Sequence, residues 1–91
     1  MSRVVLKGFI LVPQGELTVV KQALACHMQL TREEPGCLVF EVNQSQENPG
    51  RFDVYEEFIN KNAFQQHQAR VRSSEWGRLT MNVERHYEVF E

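Results

Sequence analysis

The chain has 91 residues, of which 42% are hydrophobic and 24% are charged, and its formal net charge is −2. A chain of this length forms one small domain, which folds alone but gains stability from a partner chain. The weak negative charge gives no general attraction to nucleic acid or to an anionic membrane, and no apolar run approaches the roughly 20 residues of a membrane span. We therefore expect a single domain over residues 1–91 with no nucleic-acid or membrane partner.

The N-terminal segment and the two cysteines favour a cytoplasmic location. The segment has a short apolar stretch without a small-residue cleavage site after it, so a signal peptide is not expected. Cys26 and Cys37 lie in apolar periodic segments and lack the spacing of a known cysteine motif. We predict two reduced thiols in a cytoplasmic protein.

Residues 4–12 and 16–33 are predicted to form a strand and a helix. The strand is apolar on both faces, which is typical of a central strand that is covered on both sides. The helix has two apolar stripes at helical spacing, of which we expect one to cover the sheet and the other to meet another element or subunit. The first stripe contains Leu17, Val20, Leu24, Met28 and Thr31, and the second contains Val19, Ala23, Cys26 and Leu30.

The second half of the chain is predicted to hold three strands and a second helix. A hairpin places strands at residues 37–44 and 51–58. A helix follows over residues 60–70, a short helix near residues 75–80, and a last strand over residues 83–90.

The resulting order, β-α-β-β-α-β, is that of the ferredoxin-like split β-α-β fold. This α+β fold has a four-stranded antiparallel sheet with its helices on one face. The other face of the sheet stays open, whereas the first strand is apolar on both sides. We therefore predict a homodimer that packs sheet to sheet.

Two motifs in this chain resemble those of the antibiotic biosynthesis monooxygenase domains. The first is His27-x-x-x-Thr31-Arg32-x-Glu34-Pro35-Gly36-Cys37. The second is Phe52-x-x-Tyr55-Glu56-x-Phe58 followed by Ala63-Phe64-x-x-His67. The resemblance covers residues 4–90 and implies a dimeric α/β barrel with one pocket per subunit, between the sheet and the helices.

The resemblance implies several possible reactions. Characterised members oxidise hydroquinone or anthrone-type aromatics with dioxygen and without a bound cofactor, others degrade haem, and one related enzyme isomerises a phosphorylated quorum-sensing signal. Two positions depart from the family pattern. Phe58 stands where the family often has tryptophan and keeps an aromatic wall. Arg72 stands where the family often has a second histidine, and an arginine there suits an anionic or phosphorylated substrate.

Oxygenation without a cofactor needs a base, because removing a proton from a phenol or enol gives the anion that passes an electron to dioxygen. Histidine suits this role, with an ordinary pKa of about 6.5. We predict that His67 is the base, since it follows Phe64 on the inward side of the second helix, and that His27 supports it. The alternative is that His67 has no catalytic role and lies in the C-terminal region of the helix because the helix dipole favours a histidine there. His86 is expected to be solvated or at the dimer interface.

The predicted pocket also contains a carboxylate and aromatic side chains. Glu56 shares a strand face with apolar residues, where it orients a histidine, binds a substrate hydroxyl, or pairs with Arg32 or Arg70. The aromatic side chains line the pocket or belong to the core, and they are Tyr55, Phe58, Phe64 and Trp76.

No metal or cofactor is predicted. The three histidines lack ligand spacing, there is no Cys-x-x-Cys pair, and no glycine-rich nucleotide loop is present. A pocket of this type can still admit haem.

We therefore predict a homodimeric, cofactor-independent monooxygenase whose partners are dioxygen and a quinol or similar enolisable aromatic. The alternatives are an isomerase of a small phosphorylated carbonyl compound and a non-catalytic dimeric domain that binds a small ligand.

Overall fold

The computed structural model describes residues 3–91. Its strands are β1 (Val4–Leu11), β2 (Cys37–Gln44), β3 (Arg51–Phe58) and β4 (Glu84–Phe90), and its helices are α1 (Leu17–Arg32), α2 (Lys61–Arg72) and α3 (Glu75–Leu79). A short 3-10 turn, Gln14–Glu16, joins β1 to α1. The predicted order of elements is confirmed, and the bounds of the main elements differ from the prediction by one or two residues at their ends.

The four strands form one antiparallel sheet in the order β2-β3-β1-β4. β1 is central, as its apolar pattern predicts, and β2 and β4 are the edges. The ferredoxin-like fold class is therefore confirmed. None of the helices among the described residues is long and apolar enough to cross a bilayer.

The core lies between the helices and one face of the sheet. Alternate residues of β1 point to this inner face and are buried, among them Leu6 and Ile10. They pack with Phe52 of β3, Val20 of α1 and Val83, which precedes β4. Complete burial of such a side chain contributes roughly 1.5–3 kcal/mol, so this face supplies much of the stability of the domain.

The outer face of the sheet is less apolar than the inner face. Val5, Phe9 and Leu11 of β1 lie there half-buried, with the exposed Lys7 among them. β1 is therefore apolar on both faces, as predicted, except at Lys7 on the outer face. This outer face carries no helix and is the surface on which the predicted dimer depends.

Polar side chains fix where the helices of the second half begin. Asn60 caps α2, since its side-chain oxygen accepts a hydrogen bond of 2.8 Å from the backbone N–H of Ala63. Ser74 caps α3 by accepting one of 3.1 Å from Gly77. Such caps satisfy backbone donors that have no partner within the helix.

Candidate active site

Three titratable side chains meet in the layer between the helices and the sheet. They are His27 from α1, Glu56 from β3 and His67 from α2, and they are 6%, 5% and 4% exposed. Helical and strand periodicity place them there, because each occupies an inward position of its element. Burial of three such groups together is unusual for polar side chains and marks a candidate functional site.

His67 lies between two glutamates. Its Nδ1 is 3.2 Å from both carboxylate oxygens of Glu34, in the loop between α1 and β2. Its Nε2 is 3.7 Å from Oε1 of Glu56. Burial lowers the pKa of His67, and the hydrogen bond that its Nδ1–H donates to the Glu34 carboxylate opposes this shift. The imidazole is therefore neutral near pH 7.

Glu34 is held by an arginine on the same helix as His67. Arg70 donates from Nε to Glu34 Oε2 at 2.5 Å and from Nη2 to the hydroxyl of Thr31 at 2.9 Å. The predicted pairing of Glu56 with Arg32 or Arg70 is wrong, because Arg70 pairs with Glu34. Arg32 instead donates two hydrogen bonds to the backbone carbonyl of Phe40.

Within residues 3–91, no arginine forms an ion pair with Glu56, and its Oε1 is buried without a hydrogen-bond partner. Burial, with a smaller contribution from the charge of Glu34, raises the pKa of Glu56 to about 8. Glu56 is therefore mostly a neutral acid at pH 7.

His27 lies on the other side of His67, with 6.2 Å between the two ring centroids. It stacks on Trp76 at 4.5 Å with the rings almost parallel, and it meets Phe40 edge to face at 5.3 Å. Its Nδ1 is buried without a partner. Burial, followed by the charges of His67 and Arg70, lowers the pKa of His27 to about 3, so this ring is also neutral.

Aromatic rings complete the walls of the cluster. Phe58 packs against His67 at 4.9 Å and against Phe64 at 5.6 Å. The structure thus brings Phe58, Phe64 and Trp76 to the two histidines. Phe40, which the sequence analysis did not single out, packs against both histidines.

Two of the predicted site residues lie away from this cluster. Tyr55 points to the outer face of the sheet, where its hydroxyl donates to Glu57. Arg72 is exposed at the last residue of α2. The arginine that reaches the cluster is Arg70, which lies about half a helical turn earlier. His86 is exposed on the outer face, stacked on Phe9, as its alternation in the last strand indicated.

A groove approaches the cluster from the surface between α1 and α3. Its volume is about 380 Å³, which suits a small organic molecule. The predicted second stripe of α1 forms one wall of this groove, so that stripe meets α3 and open space. The groove is lined by Val19, Gln22, Ala23, Cys26, His27, Leu30, Arg70, Ser74, Glu75, Trp76 and Leu79.

Sequence reasoning missed the role of Glu34 in this arrangement. Glu34 belongs to the first of the two family-like motifs, but it was not predicted to be a site residue. Its contact with His67 joins residues 33 positions apart. One feature of the sequence could have pointed to Glu34: it is a charged residue directly before the turn at Pro35-Gly36, just after the end of α1.

No group of three or more His, Cys, Asp or Glu side chains within residues 3–91 is arranged to hold a metal ion. The chemistry that the cluster itself offers is proton transfer. Two neutral imidazoles and a neutral carboxylic acid lie within one enclosed space, and one imidazole is hydrogen-bonded to a carboxylate. Such an arrangement can accept a proton from a weak acid and stabilise the imidazolium that forms.

The fold and this cluster define a small ferredoxin-like α+β domain with an enclosed acid-base site. The sequence model of the family described as antibiotic biosynthesis monooxygenase matches residues 3–78. The chain belongs to this family, and the resemblance found in the sequence is confirmed.

Several solved structures share this fold. A "putative antibiotic biosynthesis monooxygenase" from Nitrosomonas europaea is 20% identical, with a TM-score of 0.84 over 97% of this chain and 88% of that one. A protein from Deinococcus radiodurans described in the same words is 25% identical, with a TM-score of 0.83 over 97% and 90%. The protein Rv0793 from Mycobacterium tuberculosis is 16% identical, with a TM-score of 0.80 over 99% and 94%. No curated protein matches the chain.

Proposed function

We propose that this chain is a cofactor-independent monooxygenase that oxidises a small quinol or a similar enolisable aromatic with dioxygen. The observation that carries the proposal is the enclosed pair of neutral histidines beside a neutral glutamic acid, in a chain of this family. A base of this kind removes the substrate proton, and the resulting anion donates electrons to dioxygen. One oxygen atom enters the product and the other leaves as water.

The groove between α1 and α3 is the proposed entry for the substrate. Trp76 and His27 present stacked rings beside it, and a planar aromatic substrate would gain about 1 kcal/mol from each such stack. Exclusion of bulk water by the surrounding phenylalanines strengthens the electrostatic interactions inside. His67 is the proposed proton acceptor and His27 the proposed supporting group.

The isomerase alternative is less well supported than the monooxygenase. It depends on Arg72 as a ligand of a phosphorylated substrate, and this side chain is exposed at the end of α2. The other alternative is a non-catalytic domain that binds a small ligand. The experiment below distinguishes it from an enzyme.

The test is oxygen consumption with a reduced naphthoquinone, corrected for autoxidation, over a pH series. His67→Gln should lower the chemical step by roughly 10²–10⁴-fold, the usual contribution of a general base. His27→Gln should have a smaller effect. Because burial lowers the pKa of His67, turnover of the wild type should increase as the pH is raised towards 6.5 and should be level around pH 7.

Gln65→Ala is the control, since Gln65 is exposed on α2, the helix that carries His67, and lies outside the buried cluster. It should leave turnover unchanged. Wild-type turnover and an unchanged pH profile in His67→Gln would rule out His67 as the base. Tight ligand binding without oxygen uptake across a panel of quinols would favour the ligand-binding domain.

We also propose that the chain works as a homodimer joined through the outer face of the sheet. The apolar side chains of β1 on that face and the absence of a helix over it support this proposal. Dimerisation would shield the apolar side chains of the outer face from water. The groove and the buried cluster lie on the opposite face, which the helices cover.

A further inference from the structure

Glu34, His67 and Glu56 form a line of three side chains with the imidazole in the middle. The two nitrogens of the ring face different carboxyl groups, at 3.2 Å for Glu34 and 3.7 Å for Glu56. The two carboxyl groups differ in their other partners. Arg70 donates to Glu34, whereas the Glu56 oxygen that faces His67 is buried without a hydrogen-bond partner.

This difference decides where the protons lie. Glu34 is charge-paired with Arg70, so it acts as an acceptor and takes the N–H of His67 Nδ1. Nε2 of the neutral ring then carries a lone pair. The group that faces this lone pair is Glu56 Oε1, which needs a partner and can donate only when it carries a proton.

We propose that Glu34 is a positioning residue that holds His67 as its Nδ1–H tautomer, and that Glu56 in its acid form carries the substrate proton to Nε2. In this relay the unprotonated oxygen of Glu56 accepts a proton from the substrate while its O–H gives a proton to Nε2. Glu56 ends neutral and His67 ends as an imidazolium beside the Glu34 carboxylate. The O–H bond of the substrate and the original O–H bond of Glu56 break, a new O–H bond on Glu56 and an N–H bond at Nε2 of His67 form, and the step is neither an oxidation nor a reduction.

The surroundings of Glu56 and His67 agree with this assignment. Burial, with the nearby charge of Glu34, raises the pKa of Glu56 to about 8, which keeps its proton in place near pH 7. Tyr87 of β4 lies on the same face of the sheet and is 38% exposed. Its partial burial, followed by the charge of Glu56, raises its pKa to about 12, so it adds no charge. The titratable and charged groups around the pair are Glu34 from the α1–β2 loop, His27 from α1, Cys37 from β2, Arg70 from α2 and Tyr87 from β4.

The test is the tautomer of His67 in the full, ligand-free chain, read from long-range ¹H–¹⁵N correlations of ¹⁵N-histidine-labelled protein. We expect a protonated Nδ1 and an unprotonated Nε2 for His67 in the wild type at pH 7. A protonated Nε2 would overturn the proposal. Because this measurement uses the wild type, it does not depend on whether any variant folds.

Glu34→Gln tests whether Glu34 fixes the tautomer. The amide keeps the length of the side chain but can also donate, so the Nε2–H form should appear in this variant. Glu33→Gln is the matched control, because Glu33 is the exposed neighbour that accepts a bond from Gln29. An unchanged spectrum in Glu34→Gln would show that Glu34 does not set the tautomer.

Glu56→Gln tests the proton carrier. In the wild type, the Nε2 signal of His67 should shift as Glu56 ionises near pH 8, and this shift should disappear in Glu56→Gln. If the Nε2 signal of His67 still shifts near pH 8 in Glu56→Gln, Glu56 is not the acid that donates a proton to Nε2.

The kinetic part of the relay rests on the proposed function, whereas the tautomer does not. Glu56→Gln should lower kcat at least tenfold and leave KM within about twofold, since it removes proton transfer and not binding. Full kcat in this variant would overturn the relay. Absence of oxygen uptake in every chain, with the Nδ1–H tautomer present, would overturn the monooxygenase alone and leave the assignment of Glu34 intact.

Discussion

The carboxyl group of Glu56 occupies a position on β3 where the residues on either side of it on the same face, Val54 and Phe58, are buried hydrophobics. The fold raises its pKa from 4.5 to about 8. The folded state therefore binds a proton that the unfolded state has released, and the stability of the fold falls as the pH rises through this window. His27 has the opposite effect, because its lowered pKa makes the fold lose stability as the pH falls below 6.5.

These opposite slopes predict a stability maximum near pH 6.5. Above it, the histidines of the unfolded state lose their remaining protons and Glu56 dominates the slope. One pKa unit corresponds to about 1.4 kcal/mol, so Glu56 by itself would lower the free energy of unfolding by about 2 kcal/mol between pH 6.5 and 8.5. Because His27 and His67 offset part of this loss, we expect a net fall of about 1 kcal/mol. Urea unfolding at a series of pH values measures this loss.

Glu56→Gln should remove most of this alkaline loss, because the amide does not titrate. Glu88→Gln, on exposed β4, is the matched control and should keep the wild-type slope. An alkaline slope that is the same in Glu56→Gln and in the wild type would show that another group loses the proton.

At the scale of secondary-structure elements, the start of α2 is fixed by its contact with the loop after α1. A Cβ on Gly36 would lie 2.3 Å from the Cβ of Ala63 and 3.3 Å from a side-chain carbon of Ile59. The backbone carbonyl of Gly36 also accepts a hydrogen bond of 2.9 Å from Ile59. Gly36 therefore lets α2 approach the loop closely enough for His67 to reach Glu34.

Gly36→Ala should push the first turn of α2 away from this loop. We expect a loss of about 1–3 kcal/mol in the free energy of unfolding, the usual cost of overpacking, and a weaker contact between His67 and Glu34. Thermal unfolding followed by circular dichroism measures the stability, and the ¹⁵N signals of His67 report the contact.

Gly15→Ala is the matched control for this substitution. Nothing lies within 4 Å of a Cβ built there, so an alanine should leave stability unchanged or raise it by up to about 1 kcal/mol. Equal stability in Gly36→Ala and Gly15→Ala would contradict the close approach of α2 to the loop.

For the whole molecule, sequence periodicity predicted which side chains share a face of a strand or helix, but not which side chains of different elements come into contact. Strand alternation placed Glu56 inside and Tyr55 outside, and the structure agrees. Tyr55 was expected, as an aromatic side chain, to line the pocket or belong to the core, and this expectation went against that alternation. The pairing of Arg70 with Glu34 joins residues 36 positions apart, and it depends on how closely α2 packs against the loop. No local sequence pattern predicts that pairing. The sequence therefore predicted which side chains lie in the cluster, but not which of them donate and accept its hydrogen bonds.

The proposed dimer depends on the outer face of the sheet. Phe9 lies near the middle of this face, between the guanidinium of Arg51, 3.8 Å from the ring centroid, and the ring of His86 at 4.7 Å. In the proposed dimer Phe9 is covered by the partner subunit. A carboxylate at this position would then have to be buried. The nearest cation, Arg51, already pairs with Asp53, so the cost of burying a second negative charge would not be offset.

Phe9→Glu should therefore dissociate the dimer. Sedimentation equilibrium at micromolar concentration should give about twice the chain mass of 10.7 kDa for the wild type and close to one chain mass for Phe9→Glu. Met81→Glu, whose native side chain is 76% exposed before β4, introduces the same charge away from this face and should stay dimeric. A wild-type monomer would contradict the dimer itself, whereas a dimeric Phe9→Glu that keeps the wild-type circular dichroism spectrum would move the interface to another surface.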